Sequence, residues 1–309
     1  MKIFITGSLG FVGRHLSHAL LKDGHQITGV GRSAKPSQPI DHPSFHYLAA
    51  DTTKPGDWQQ KVADHDIVIN LAGKSIFTYW TEKVKKEIYD SRILTTRHLT
   101  QSLAGAQDVI FFSTSAVGYY GERGDDILRE KEPPGHDFLA TLSIDWEAEA
   151  MKAQSDTVRV ILTRFGIVLD RRGGAMAQMV PAFKFFVGGR LGSGRQWFPW
   201  IHLHDLIEAY RFAINHPQVA GPANWCAPEP VRNEDLTRIL ANKLDRPAML
   251  PVPEFIIKTV AGEFGETLLC SMRVQPGVLM DAGFSFTYGT IESALDEIAH
   301  AKCATNREH

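Results

Sequence analysis

The sequence predicts an α/β fold, a Rossmann-type doubly wound parallel sheet followed by a smaller, mostly helical C-terminal lobe. Two observations support this fold class. Short apolar runs alternate with segments of helical spacing through the first half of the chain, which is typical of strands joined by helical crossovers. The N-terminal stretch MKIFITGSLGFVGR also places a strand, a glycine turn and a helix in immediate succession. We predict a first domain over residues 1–170 and a smaller substrate lobe over 171–309.

The glycine turn is the strongest single signal in the sequence. Glycines at this spacing, between a buried strand and a helix, let the backbone approach a pyrophosphate, which the first N–H groups of the helix then bind. A tight turn without a ligand would explain the first glycine but not all three. We therefore predict that the first domain binds NAD(P) through seven consecutive residues, Gly7, Ser8, Leu9, Gly10, Phe11, Val12 and Gly13.

The remaining elements follow in order, and ligands of such sheets bind beyond the carboxyl ends of the strands. The predicted strands are Lys2–Thr6, His25–Val30, Phe45–Ala49, Ile67–Leu71, Val109–Phe112 and Val158–Arg164. The predicted helices are Phe11–Lys22, Thr81–Leu103, Ser143–Gln154, Leu203–Asn215, Asn233–Leu244, Glu254–Leu269 and Thr290–Ala299.

The loop after the second strand predicts which dinucleotide binds. An NAD site usually has an acidic residue there for the ribose hydroxyls, whereas this chain has Gly31 and Arg32. A guanidinium can clamp a 2′-phosphate, so we expect NADP, with NAD as the less favoured cofactor. The alternative is that Arg32 is a solvated loop charge. Asp51, after the third strand, is a candidate for the adenine amino group or equally a turn-capping residue.

Residues after the fourth and fifth strands complete the predicted site. Leu71 and Ala72 give small side chains where the cofactor would pass, and the long helix that follows carries Glu87 and Arg92, which alone resemble solvated helix charges. The segment Ser113–Gly121 after the fifth strand is rich in hydroxyl groups. Its two serines and two tyrosines make this segment the best source of catalytic residues in the chain.

Composition excludes several classes of function. The formal charge is −2 over 309 residues, so we expect no nucleic-acid partner, and no apolar run is long enough for a transmembrane helix. The apolar N-terminal run is broken by Gly7, so we do not expect a signal peptide. Cys226, Cys270 and Cys303 are far apart, which indicates reduced thiols in a cytoplasmic protein and no metal site.

Taken together, these motifs resemble the extended short-chain dehydrogenase/reductase superfamily. A closer resemblance is to its atypical branch, the YfcH-like epimerase family protein group. The marks of that branch include Ser91-Arg92, Asp145-Trp146-Glu147, Gly173-Gly174-Ala175-Met176, Asn224, Arg246-Pro247 and Gly283-Phe284-x-Phe286. The resemblance implies NADP contacts at the glycine turn, Gly31, Arg32, Leu71, Ala72, Glu87, Arg92 and Val168. It also implies a family-specific C-terminal domain over 251–299, an unknown small-molecule substrate and a possible homodimer.

One departure from the superfamily concerns catalysis. Its classical members transfer a proton with a Tyr-x-x-x-Lys pair a couple of dozen residues after the serine, and the window Phe138 to Asp145 holds neither residue type. Tyr79 and Lys83 have the spacing but follow the wrong strand. The resemblance therefore implies Ser115 as the hydroxyl that orients the substrate, but it supplies no proton-transfer pair. Substitutes for that pair are Tyr119 or Tyr120, of which we select Tyr120, for the phenol and Lys74 for the cation. The alternative is that the tyrosines only pack. His202, His204 and Asp205 fit better as a loop and helix cap than as a catalytic group.

Two functions therefore remain open. The first is an NADP-dependent oxidoreductase or nucleotide-sugar epimerase-like enzyme acting on a carbonyl or alcohol. The second is a non-catalytic NADP-binding sensor or regulatory protein. The cofactor motifs fit both; the missing pair favours the second, and Ser115 together with the substrate lobe favours the first, which we place ahead.

Overall fold

A computed structural model describes residues 1–246 and 251–300 of the chain. The strands are β1 Lys2–Thr6, β2 Gln26–Gly31, β3 Phe45–Ala49, β4 Ile67–Asn70, β5 Val109–Ala116, β6 Ile127–Leu128, β7 Val158–Phe165, β8 Ile167–Asp170, β9 Gly173–Gly174, β10 Trp197–Phe198, β11 Trp200–His202, β12 Gly221–Trp225, β13 Val231–Arg232 and β14 Arg273–Val274. The helices are α1 Phe11–Lys22, α2 Glu82–Ser102, α3 Phe138–Met151, α4 Met176–Lys184, α5 Leu203–Asn215, α6 Asn233–Leu244, α7 Glu254–Ala261, α8 Glu263–Thr267, α9 Gly277–Asp281 and α10 Ile291–His300, with 3-10 turns at Asp57–Asp64 and Val117–Tyr120.

The predicted doubly wound parallel sheet is confirmed. Seven strands lie in the order β12-β7-β5-β4-β1-β2-β3, and every neighbouring pair is parallel. Ile3 and Ile5 face the layer formed by α1 and α5, while Phe4, between them in sequence, faces the opposite layer with Leu99 of α2. Strand order reverses between β1 and β4, and a ligand is expected at that point of such a sheet.

Hydrogen bonds join the two strands at this reversal. The hydroxyl of Thr6, at the end of β1, donates to the Oδ1 of Asn70, at the end of β4, over 2.7 Å. The Asn70 amide donates in turn to the Thr96 hydroxyl of α2, over 2.9 Å. Thr6 and Asn70 are fully buried, so the crevice floor is fixed by satisfied polar groups rather than by packing alone.

The smaller lobe has its own core but is joined to the sheet. Leu169, Trp200, Leu236 and Leu295 belong to one buried cluster formed by β8, β11, α6 and α10. However, β12 pairs with β7 as the last strand of the main sheet, and α5 packs on α1 and that sheet. The domain boundary predicted at residue 170 therefore does not coincide with the edge of the sheet.

Three predicted elements differ from the structure by more than one residue at an end. Strand β5 runs on to Ala116, and α3 begins at Phe138 instead of Ser143, because the Asp137 carboxylate accepts from the Ala140 N–H over 2.8 Å and caps the helix. The helix predicted over 254–269 breaks at Gly262, whose φ is +59°. Pro247, Cys303 and the polar tail lie outside the described residues.

Candidate functional site

The glycine turn has the backbone that its sequence predicts. Gly7 has a φ of +69°, and a Cβ there would lie 2.8 Å from the carbonyl oxygen of Leu71. A Cβ at Gly13 would overlap the carbonyl oxygen of Gly7. Gly10 occupies the N-cap position of α1 and has no side chain to cap that helix. The turn is therefore close-packed against β4, and the first N–H groups of α1 have no capping side chain from Gly10.

A cavity of about 530 Å³ lies over this turn, and we call it the cofactor cavity. Eight of the predicted cofactor residues line it: Gly7, Gly10, Gly31, Arg32, Asp51, Leu71, Ala72 and Glu87. Among the others, Ser8 and Gly13 are buried behind the turn, and Leu9 and Val12 pack against the core. Phe11, Arg92 and Val168 line a neighbouring cavity.

Charged groups of the cofactor cavity are partly paired. Arg32 is exposed. Asp51 accepts from the hydroxyl and the N–H of Thr53, over 2.7 and 3.2 Å, and the hydroxyl contact is the main cause of its lowered pKa. Asp51 therefore both caps its own turn and lines the cavity. Glu87 forms a short ion pair with Lys74, which lowers the pKa of Glu87. This pair assigns the predicted substitute cation Lys74 to the cofactor cavity.

The neighbouring cavity, which we call the apolar cavity, has a volume of about 350 Å³ at the carboxyl ends of β5 and β7. Its walls are mainly apolar side chains from both lobes, including Phe11, Leu142, Trp146, Phe165, Val168 and Phe264. Apolar walls around a few polar groups are typical of small-molecule sites.

Arg92 lies where the two cavities meet. Its guanidinium faces Gly73 of the cofactor cavity and lines the apolar cavity. One nitrogen, Nη1, donates to the carbonyls of Lys74 and Ile88 over 3.0 and 3.2 Å, and the group lies 5.3 Å from the Trp146 ring centre. Burial lowers the pKa of Arg92 to about 10, so it still carries a charge at neutral pH. Arg92 is therefore not the solvated helix charge of the alternative interpretation.

Ser115 lines the apolar cavity, but its hydroxyl is engaged. It donates to the Oε1 of Glu147 over 2.6 Å, and Glu147 forms a bidentate ion pair with Arg164, both contacts being 2.7 Å. In this arrangement the Ser115 oxygen can accept a hydrogen bond from a ligand, while its proton is used within the protein.

Tyr120 lies in the same buried network and not among the residues lining either cavity. Its hydroxyl donates toward Asn224 Oδ1 over 2.7 Å and accepts from Arg164 Nη1 over 2.9 Å. Burial raises the pKa of Tyr120 well above its ordinary value, against the effect of Arg164. Tyr119 stacks on the same guanidinium at 3.5 Å. Tyr119 and Tyr120 therefore pack around Arg164. This agrees with the alternative interpretation, in which the tyrosines pack and do not supply a catalytic phenol.

The early start of α3 shows which residues occupy the expected Tyr-x-x-x-Lys window. Leu139 and Ser143, four residues apart and so on one helix face, both line the apolar cavity beside Ser115. Side chains of these types cannot replace the phenol and the ammonium group. Tyr79 is exposed and lies against Gly262, outside both cavities, and it does not supply the pair.

The histidine cluster joins the lobes, in agreement with its predicted loop and cap role. His202 caps α5 by accepting from the His204 N–H over 3.2 Å, and its ring packs 4.1 Å from that of Tyr288. Asp205 accepts from the N–H groups of Thr287 and Tyr288, each over 2.9 Å.

Neither a membrane-spanning helix nor a metal-binding group of side chains is found among the described residues. Within residues 1–246 and 251–300, no helix combines the length and apolar character needed to cross a membrane. The same ranges contain no group of side chains arranged to hold a metal ion.

Comparisons with known proteins place the chain among named relatives. A human epimerase family protein SDR39U1 structure (isoform 2, with NADPH) is 30% identical, has a TM-score of 0.85 and covers 97% of this chain and 99% of its own. An epimerase family protein SDR39U1 homolog, chloroplastic, from Arabidopsis thaliana is 39% identical over 96% of this chain and 86% of its own. Epimerase family protein YfhF of Bacillus subtilis is 34% identical over 96% and 98%.

Two family models also match. One is a domain of unknown function, DUF1731, over residues 252–298, which agrees with the C-terminal domain expected over 251–299. The other is the NAD dependent epimerase/dehydratase family, over residues 3–225. With the doubly wound sheet, the glycine turn and relatives that match along almost the entire chain, this protein belongs to the NAD dependent epimerase/dehydratase family, in its epimerase family protein branch.

Proposed function

We propose that the protein is an NADP-dependent oxidoreductase that moves a hydride between nicotinamide and a carbonyl or alcohol. The observation that carries this proposal is the position of Arg92, whose guanidinium lines the apolar cavity and lies against Gly73 of the cofactor cavity. A dinucleotide laid over the glycine turn would extend past Arg92 toward Phe11 and Val168, so that its nicotinamide would enter the apolar cavity.

The residues of the cofactor cavity fit this dinucleotide. The glycine turn packs too closely on its own backbone and on that of Leu71 to admit side chains at Gly7 and Gly13, so the turn presents bare backbone to the cavity. The N-terminus of α1 favours the negative charge of a pyrophosphate. Arg32 is exposed at the edge of the cavity, after β2, where a 2′-phosphate would lie. The NADPH bound to the human relative supports NADP over NAD.

NADPH, when bound, would supply a hydride; the residues of the chain would position the substrate. Ser115 would accept a hydrogen bond from a substrate hydroxyl, since its own proton goes to Glu147. Leu139 and Ser143 would provide shape rather than a proton, so the substrate oxygen would exchange its proton with water.

A titration of the protein with NADPH and NADH tests the cofactor assignment. We expect NADPH to bind more tightly, and Arg32→Gln to weaken NADPH binding about 10- to 100-fold while leaving NADH binding nearly unchanged, because one charge-assisted contact is lost. Arg238→Gln, the same substitution at an exposed arginine of α6 whose partner Asp235 does not line the cofactor cavity, is the matched control and leaves both affinities unchanged. Equal affinities for the two cofactors in the unmodified protein would refute the role of Arg32.

A second candidate is an NADP-binding sensor without redox turnover. Leu139 and Ser143 favour it, because they occupy the cavity-facing positions where a proton-transfer pair would lie. Loss of the NADPH absorbance during a broad screen of carbonyl compounds separates the two candidate functions. Consumption supports the oxidoreductase, and tight NADPH binding without any consumption supports the sensor.

A further inference from the structure

The segment after Gly262 forms one wall of the apolar cavity. Its residues Phe264, Thr267, Leu268, Cys270 and Met272 line that cavity. Leu269 and Ser271, which alternate with the last three of these, line a different cavity of about 530 Å³, which we call the polar cavity. This segment, which we call the C-terminal wall (264–272), belongs to the domain of unknown function and separates the two spaces.

The apolar cavity offers few partners for a polar substrate. Among its described lining residues, only Arg92 and Asp137 carry a formal charge. Arg92 lies at the cofactor end, and Asp137 is used as the cap of α3. The Thr267 hydroxyl donates to the Phe264 carbonyl over 2.7 Å, so it too is satisfied within the wall. A sugar with several hydroxyl groups would leave most of them without partners, which is costly.

The polar cavity on the other side of the wall is unsuited to a diphosphate. Four carboxylates and two guanidinium groups line it, so its net charge is negative. The acidic residues are Glu122, Asp125, Glu234 and Glu254. Of the two arginines, Arg232 is already bound to Asp125 over 3.0 Å and stacks 4.4 Å from the Trp197 ring centre. Like charges at this density oppose binding of a pyrophosphate.

We infer that the C-terminal wall is a specificity element that selects a compact, largely apolar aldehyde or ketone and excludes nucleotide sugars. This inference rests on the proposed oxidoreductase function. The cavity volume of about 350 Å³ is at the lower end for small-molecule sites and would also hold the nicotinamide ring, so the substrate is small.

The reaction balances without a further reactant. The carbonyl carbon accepts a hydride, and with it two electrons, from NADPH, and a new C–H bond forms as the C=O π bond breaks. The oxygen takes one proton from water, and the hydroxide that remains takes up a proton from the buffer. Carbonyl compound, NADPH and a proton thus become alcohol and NADP⁺.

Binding to the NADP⁺-loaded protein tests the wall directly. Benzaldehyde and cyclohexanone are the apolar probes, UDP-glucose is the nucleotide sugar, and isothermal titration measures each affinity. We expect the apolar probes to bind and UDP-glucose not to bind. Phe264→Ala should weaken benzaldehyde binding to the NADP⁺-loaded protein about tenfold by removing an aromatic contact. Phe255→Ala, at a phenylalanine of the same domain that is 70% exposed, is the matched control and has no effect.

The outcomes separate the two proposals. Failure of NADPH to bind overturns the proposed function. Normal NADPH binding with UDP-glucose bound more tightly than both apolar probes, or with neither probe bound, overturns the inference about the wall. Phe264→Leu retains most of the packing against Trp80 and Phe77 and serves if the alanine variant does not fold. If the folded Phe264 variant binds benzaldehyde as tightly as the unmodified protein, the inference about the C-terminal wall is also contradicted.

Discussion

Replacement of Glu147 by glutamine should destabilise the protein severely. Glu147 and Arg164 are 9% and 2% exposed, and both carboxylate oxygens accept from the guanidinium. Burial alone would lower the pKa of Arg164, but the hydrogen bonds and charge of Glu147 raise it above its ordinary value. Glu147→Gln keeps the shape of the side chain and leaves the Arg164 cation buried without its anion.

The size of the effect follows from that burial. Removing one partner of a buried ion pair costs about 3–5 kcal/mol, because the remaining charge loses its compensation. For a chain of this length, we expect the melting temperature to fall by on the order of 10 °C. An exposed ion pair contributes about 0–1 kcal/mol, so the two situations are easily distinguished.

Thermal unfolding at pH 7, followed by circular dichroism without cofactor, measures the effect. Glu208→Gln is the matched control, because Arg211 keeps its contacts with Asp23 over 2.7 and 2.9 Å when Glu208 is neutral. We expect that control to change the free energy of unfolding by less than about 1 kcal/mol.

A double variant strengthens the test. Glu147→Leu with Arg164→Met removes both charges, and apolar replacement of a buried pair is often neutral or better. The double variant should therefore recover at least half of the stability lost in Glu147→Gln. If the melting temperature of Glu147→Gln lies within about 2 °C of that of the unmodified protein, our account of the Glu147–Arg164 ion pair is refuted.

Two further predictions concern the first half of the chain. Gly13→Ala should abolish dinucleotide binding and lower the melting temperature, because the added Cβ would overlap the Gly7 carbonyl oxygen. The control Gly24→Ala has open space around the added Cβ; because φ is +82° there, it should cost about 1–2 kcal/mol of stability and bind the dinucleotide normally. Equal losses in both variants would contradict the steric argument. His65 has its pKa lowered by burial and accepts from the Thr28 hydroxyl, so the unfolded chain binds the proton more tightly. Stability should therefore fall as the pH drops from about 7 to 5, and chemical denaturation of His65→Gln should show a shallower fall; identical pH profiles would exclude His65 as a cause.

The local sequence was sufficient to predict the elements that surround the cofactor cavity. The bounds of β1, α1 and β3 follow from an apolar run, a glycine and a helical repeat, all within a few residues of each other. These elements place Gly7 and Arg32 at one sheet edge through parallel pairing of β1 with β2. Such features are encoded locally, so one sequence is enough to predict them.

The catalytic side could not be predicted as well, because its contacts join distant segments. The sequence shows a serine at position 115 but not the partner of its hydroxyl, which donates to Glu147, 32 residues later. Tyr120 precedes a glycine in a loop-like segment, yet Asn224, 104 residues away, fixes its hydroxyl. Only the Asp137 cap gives a local signal that would have moved the start of α3.

The return of β12 to the main sheet limits how the chain can be divided. A fragment ending at residue 170 would lack this strand and leave the long, mostly buried β7 as an unprotected edge. It would also uncover Phe112, whose ring packs against Tyr210 and Trp225 from the second half. Such an edge invites pairing with other chains. The seven-stranded sheet is therefore complete only after the ribosome has made residue 225.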